Sequence, residues 1–160
     1  MLVSVSTVTK RKGDLEAALL RIKNALRGPM RVKVGYPSGA VGGDIVMRAV
    51  WNEFGTRGGA SGGGWGGPVP ERPFMRLAFS QNRGDYRKMM VASVRGIVTG
   101  RLGMSDALNA LGERGSSDIK KMIDAGVGPV NAWTTVALKG HGFTLYQTGQ
   151  MQAAATFEVD

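Results

Sequence analysis

Residues 51–79 read WNEFGTRGGASGGGWGGPVPERPFMRLAF, and the rest of the chain is organised around them. An apolar segment ends at Phe54, a glycine-rich span follows, and a proline-punctuated stretch leads into a second apolar segment. Gly55, Gly58, Gly59, Gly62, Gly63, Gly64, Gly66 and Gly67 leave the middle almost without conformational preference, so ordering it costs more backbone entropy than usual. Pro68, Pro70 and Pro73 do the opposite: they fix φ and push Gly67, Val69 and Arg72 towards extended geometry. Pro73 also suits the first turn of a helix, where a missing N–H costs nothing. Phe74, Leu77 and Ala78 then fall at i, i+3 and i+4, which predicts a helix over 73–82 with one buried face. Two anchored ends around a pliant middle predict an extended loop, 55–72, that reaches towards a neighbour. An ordinary surface loop has the same composition.

Upstream, Leu2, Val3, Val5 and Val8 with interleaved Ser and Thr predict a strand over 2–9. Gly13 punctuates it, Asp14 is a good N-cap, and Leu15, Ala18, Leu19, Ile22 and Leu26 form a helical stripe that Gly28-Pro29 ends. Residues 31–36 alternate polar and apolar as a second strand. The glycines at 39, 42 and 43 fit neither G-x-G-x-x-G nor the Walker pattern, so a loop is expected there rather than a phosphate cradle. Asp44 can cap a helix to Phe54 that buries Ile45, Ala49, Val50 and Phe54. Downstream, Asp85 opens a helix with Tyr86, Met89, Met90, Val94 and Ile97 inward, the methionines filling core or offering a soft surface. Residues 104–124 are helical, with Gly112 and Gly115 as candidate breaks. Gly126, Gly128 and Pro129 open an extended segment, 126–144, and Ala155 to Val159 alternate as a last strand. The expectation is an α+β fold in a single domain, 1–160. A small, mostly antiparallel sheet of N-terminal, middle and C-terminal strands packs with about four or five helices.

Composition narrows the function classes. Apolar residues make up 42% of the chain, near the globular norm, and cysteine is absent, which removes disulfides, thiol nucleophiles and cysteine metal sites. No apolar run approaches the ~20 residues of a membrane span, and the first residues lack the order of a secretory signal, so a soluble cytoplasmic protein is expected. The net charge of +9 suits polyanions or acidic protein surfaces, but the basic residues are scattered. His141, between two glycines, reads as a surface residue rather than a base or ligand. Glu53 and Glu71 flank the loop and could meet as a catalytic pair. More simply, each meets Arg57, Arg72 or Arg76, or caps a backbone donor. No catalytic, cofactor-binding or metal-binding residue is assigned, and no enzyme activity is expected. Trp65, surrounded by glycines, is the kind of side chain that enters a partner's pocket, unless it folds back on its own core. The 126–144 segment, with Trp133, is more easily ordered by neighbours than by itself.

Asn52-Glu53-Phe54-Gly55-Thr56, a variable loop, and then Pro70-Glu71-Arg72-Pro73-Phe74-Met75-Arg76 together resemble the signature of the neck or tail-completion proteins of tailed bacteriophages, also called virion morphogenesis proteins. Asn131-Ala132, Thr134-Thr135, Lys139-Gly140 and Leu145-Tyr146-Gln147-Thr148-Gly149-Gln150-Met151 resemble that family's second motif, with Gln147 where Asp is commoner. The resemblance implies a structural virion protein of the head–tail junction, assembled in the host cytoplasm as a ring, six-fold by expectation. Its neighbours would be a tail-tube or tail-terminator protein and a head-completion or connector protein. Contacts are expected at Asn52, Glu53, Phe54, Trp65, Pro70, Arg72, Phe74, Trp133, Tyr146 and Thr148. Genomic DNA in the lumen would be touched only through salt-sensitive phosphate contacts. Two alternatives fit the residues: an assembly factor absent from the virion, and a basic, non-specific DNA-binding module.

Overall fold

The structure, a computed structural model, describes residues 5–25, 28–57, 68–146 and 148–160. Trp65 and the centre of the glycine-rich loop lie outside them, as does Gln147. The described residues form seven helices and two strands in the order α1 (Val5–Ala25), β1 (Val32–Gly35), α2 (Gly43–Phe54), α3 (Phe74–Gln81), α4 (Arg83–Thr99), α5 (Met104–Ala125), α6 (Trp133–Lys139), α7 (Gln150–Ala154) and β2 (Thr156–Val159). The fold is α+β. Strands β1 and β2 pair as a two-stranded sheet, and Arg31 and Asp160 at its end exchange backbone hydrogen bonds in both directions, the antiparallel pattern.

The expected N-terminal strand is the main correction. From Val5 onward that stretch is helix, continuous through Gly13 and Asp14 to Ala25. β-branched residues lose only tenths of a kcal/mol per position in a helix. Extending a helix already formed over the following residues adds a hydrogen bond for each residue fixed, whereas a strand needs a partner edge; the expected stripe of Leu15, Leu19 and Ile22 is itself exposed. Two further corrections concern caps and loops. Asp44 lies inside the first turn of α2, whose N-cap is Gly42, and it pairs with Arg48 one turn on. The 126–144 segment is not wholly extended, because α6 lies within it.

The chain forms two compact units. One holds residues 1–32, 84–111 and 159–160. In it Gly100, at φ +74°, ends α4, and Leu102 folds back so that its Cβ would lie 3.0 Å from a Cβ at Gly96. The Arg21 guanidinium lies against Gly100 and donates to the Val98 carbonyl (3.4 Å). On α4, Ile97 is buried, while Met90 and Val94 face solvent, contrary to expectation. The inward face is the Tyr86, Met89, Ser93, Ile97 row instead, and each of these is at least partly buried.

The other unit, residues 33–83 and 112–158, carries the main core. Ala49 of α2, Phe74 and Ala78 of α3, Ile119 and Ile123 of α5, Val127, Leu145, Met151 and Ala155 form one buried cluster, with Val34, Tyr36 and Leu77 packed against it. The Phe74–Leu77–Ala78 face is therefore as predicted. Gly112 and Gly115 do not break α5. They make room for the sheet: a Cβ at Gly112 would fall within 2.8 Å of three ring carbons of Phe157 on β2. One at Gly115 would lie 3.0 Å from Val34 on β1.

Tyr36 packs edge-on against Phe74, with ring centroids 6.4 Å apart, and its hydroxyl donates to the Met151 carbonyl (2.8 Å). Burial, and next the charge of Glu53, push its pKa well above the ordinary tyrosine value. The unfolded chain ionises this phenol near pH 10 while the folded chain keeps the proton, so the contribution is complete below pH 10 and is lost as pH rises beyond it. Stability is expected to fall between pH 10 and 11.5 by up to ~1.4 kcal/mol per pH unit from this group. Urea titrations of Tyr36→Phe and wild type across that range check it: the slope should be shallower in the variant.

Candidate functional site: a basic cleft where two motifs meet

The first motif is a clamp. Gly55 ends α2 at φ +68°, and a Cβ there would lie 2.9 Å from the Val69 carbonyl oxygen and 3.0 Å from the Glu71 nitrogen, so the returning chain runs directly against it. Thr56 N–H donates to the Val69 carbonyl (2.9 Å), Val69 N–H to the Thr56 hydroxyl (3.0 Å), and Arg72 N–H to the Asn52 carbonyl (2.7 Å). The two anchored ends inferred from the sequence are thus tied to one another.

Glu53 is the structural centre of this motif. Its side chain is 1% exposed, on the same face of α2 as the buried Ala49, while the larger apolar residues Met47, Val50, Trp51 and Phe54 are exposed. Its carboxylate accepts the backbone N–H groups of Met75 (2.8 Å) and Arg76 (3.1 Å), two of the orphan donors at the start of α3. It also accepts Arg76 Nε (3.0 Å). A carboxylate at a helix N-terminus satisfies donors and complements the helix dipole at once. Arg76 continues to the Glu53 carbonyl (2.7 Å) and to Glu71, and its guanidinium stands 5.2 Å over the Phe54 ring. Both glutamates therefore meet Arg76, the simpler of the two sequence readings.

Because Glu53 takes the inward position, Val50 and Phe54 do not. Met47, Val50, Trp51 and Phe54, at i, i+3, i+4 and i+7, are all exposed, Phe54 by 63%. This corrects the expectation that Val50 and Phe54 are buried.

The second motif meets the first through Arg72. This guanidinium, on a residue only 6% exposed, donates from Nε to the Pro129 carbonyl (3.0 Å) and from Nη2 to Asn131 Oδ1 (3.1 Å). Asn131 in turn donates to the Phe143 carbonyl (2.9 Å). Leu145, buried at φ +61°, and Gly149, at φ +73°, turn the chain so that Tyr146 and Thr148 close the other side. The result is a recess of about 100 Å³ whose lining includes Arg48, Asn52, Arg72, Lys139, Tyr146 and Thr148. Arg48 is held by Asp44 and reaches Gln150 Oε1 (3.4 Å). Lys139 Nζ donates to the Tyr146 carbonyl (3.4 Å). Burial lowers the pKa of Arg72; burial, and then the charge of Arg72, lowers that of Lys139.

Of the expected contact residues, Asn52, Arg72, Tyr146 and Thr148 come together in this recess. Glu53 and Phe74 are buried and hold the fold, which corrects their assignment as partner contacts: no neighbour can reach a side chain 1% or less exposed. Phe54, Pro70 and Trp133 are exposed, Trp133 by 81%, and are not part of the recess. Arg48 escaped the sequence reading, although it lies one turn before Asn52 on the same helix face. Among the described residues, no three of His, Asp and Glu are grouped as a metal site, and no helix is long and apolar enough to cross a membrane. Set against family models, curated proteins and solved structures, the chain finds no match in any of the three.

Proposed function

We propose that the protein is a structural subunit of the head–tail junction of a tailed bacteriophage, a neck or tail-completion protein that works by assembling into a ring, six-fold by expectation. The observation that carries this reading is the outer face of α2. Met47, Val50, Trp51 and Phe54 form a continuous apolar stripe on solvent, immediately beside the first motif. Contiguous exposed apolar surface at helical spacing is characteristic of helix-docking sites. Trp133, Leu138 and Phe143, all exposed in the 126–144 segment, add a second apolar surface that suits a subunit contact. The mechanism is association: the α+β body sets the ring, and the exposed apolar residues make contacts to the next copy or the adjoining tail and head proteins.

Native mass spectrometry of the wild type and of a Trp51→Ser, Phe54→Ser double variant tests this. The wild type should form a ring, alone or with its tail partner, and the variant should stay monomeric with an unchanged circular dichroism spectrum. A variant that assembles like the wild type overturns the role of α2. Mass spectrometry of separated virion heads and tails locates the chain; its absence from both favours the assembly factor. Duplex binding by the isolated monomer that weakens steeply with salt favours the DNA-binding module.

A further inference from the structure

The recess between the two motifs holds more positive charge than its surroundings balance. Arg48 has Asp44 as its carboxylate, but neither Arg72 nor Lys139 has one: among the described residues no acidic oxygen lies within 4 Å of either. Arg72 spends Nε and Nη2 on the Pro129 carbonyl and the Asn131 amide oxygen, both neutral, and among the described residues no acceptor engages Nη1. Among the described residues the ammonium of Lys139 has one long bond, 3.4 Å, to the Tyr146 carbonyl. Two cations drawn out of water side by side, each lowered in pKa by burial, are a cost to the free protein that a bound anion removes. Charge-assisted hydrogen bonds from guanidinium and ammonium groups to an oxyanion are among the stronger polar contacts available.

We infer that the recess is a receptor for a single carboxylate group, the terminus of an Asp or Glu side chain presented by another protein chain. Size decides the ligand. At about 100 Å³ the recess is well below the ~300–1,000 Å³ of sites that enclose a whole small molecule, so it takes a functional group and not a metabolite. Shape decides between carboxylate and nucleic-acid phosphate. A phosphodiester carries a sugar on either side and is met by side chains that reach out to it, whereas Arg72, only 6% exposed, does not reach out of the recess. A carboxylate on a flexible stem enters such a recess end-on. The inference concerns the recess alone and stands whether or not the ring reading does.

The test is an NMR titration of the isotope-labelled full chain with acetate against chloride at constant ionic strength, following the Tyr146 and Gly149 amides and the Lys139 side chain. Acetate should give saturable shifts and raise the Lys139 pKa, where chloride does neither. Lys139→Gln, which leaves the bonds of Arg72 to Pro129 and Asn131 in place, should weaken acetate at least tenfold. A pentapeptide with one central glutamate should bind at the same amides, and its glutamine counterpart should not. Shifts no larger than those with chloride, or equal affinity in Lys139→Gln, overturn the site. Binding of inorganic phosphate or of a short duplex in preference to acetate overturns the carboxylate assignment, and binding of acetate without the glutamate peptide overturns the side-chain source.

Discussion

Replacing Glu53 by alanine is expected to destabilise the protein by about 3–5 kcal/mol, because it leaves two helix-start donors without their acceptor and removes the buried end of a pair whose Arg76 is half exposed. The charge itself is only part of the loss. The substitution strips the part-buried Met75 and Arg76 N–H groups of their acceptor, and a buried donor left unsatisfied costs about 1–3 kcal/mol. It also opens a cavity beside Phe74, whose side chain is wholly buried. Glu53→Gln keeps the volume and one acceptor oxygen, so it should cost much less, about 1–2 kcal/mol. Thermal and urea unfolding of the pair separates the two contributions. For a chain of this length a loss of 3–5 kcal/mol corresponds to a drop in Tm of roughly 10 °C or more. Equal effects of alanine and glutamine would mean that the charge, rather than the capping of α3, holds the site together.

Gly112→Ala should destabilise by about 2 kcal/mol, although alanine is the better helix former by ~1 kcal/mol. Overpacking a fitted core costs ~1–3 kcal/mol or more, and here the new methyl would coincide with the near side of the Phe157 ring rather than the far end of a flexible chain. The ring must leave, and it belongs to one of only two strands in the sheet. Phe157→Leu in the same molecule should recover part of the loss. A double-mutant cycle measured by urea unfolding reads that coupling directly, and additive effects would show that the glycine is not there for the ring.

These two residues mark the limit of what the sequence discloses. The helix at 73–82 and the strands at 31–36 and 155–159 follow from periodicity and punctuation, because apolar spacing at those places matches burial. At α2 the same rule fails. Spacing buries Val50 and Phe54; that Glu53 meets an arginine or caps a backbone donor is legible, but not that it takes the inward place, since a carboxylate is rarely the inward group. Its burial is stabilised by donors that begin a helix twenty residues later, and no local pattern records them. Glycine is ambiguous for a similar reason: Gly112 and Gly115 look like breaks, and in the fold they are the seat of a sheet. The alternation at 2–9 is misleading because a strand there needs an edge to pair with, while the helix beginning at Val5 needs none. The recess was half legible. The two motifs name Asn52, Arg72, Tyr146 and Thr148, but that no carboxylate among the described residues stands opposite Arg72 and Lys139 is a property of three dimensions.

The hydrogen bonds that join Thr56 to Val69 and Asn52 to Arg72 have a consequence for how the chain tolerates change. They tie the two ends of the intervening segment directly to one another, so the anchors are held by their own bonds. Doubling the length of a closed loop adds only about 0.6 kcal/mol of closure entropy. An insertion that doubles the length between these anchors is therefore expected to cost little in closure entropy, while Gly55 and the strap opposite it stay as they are.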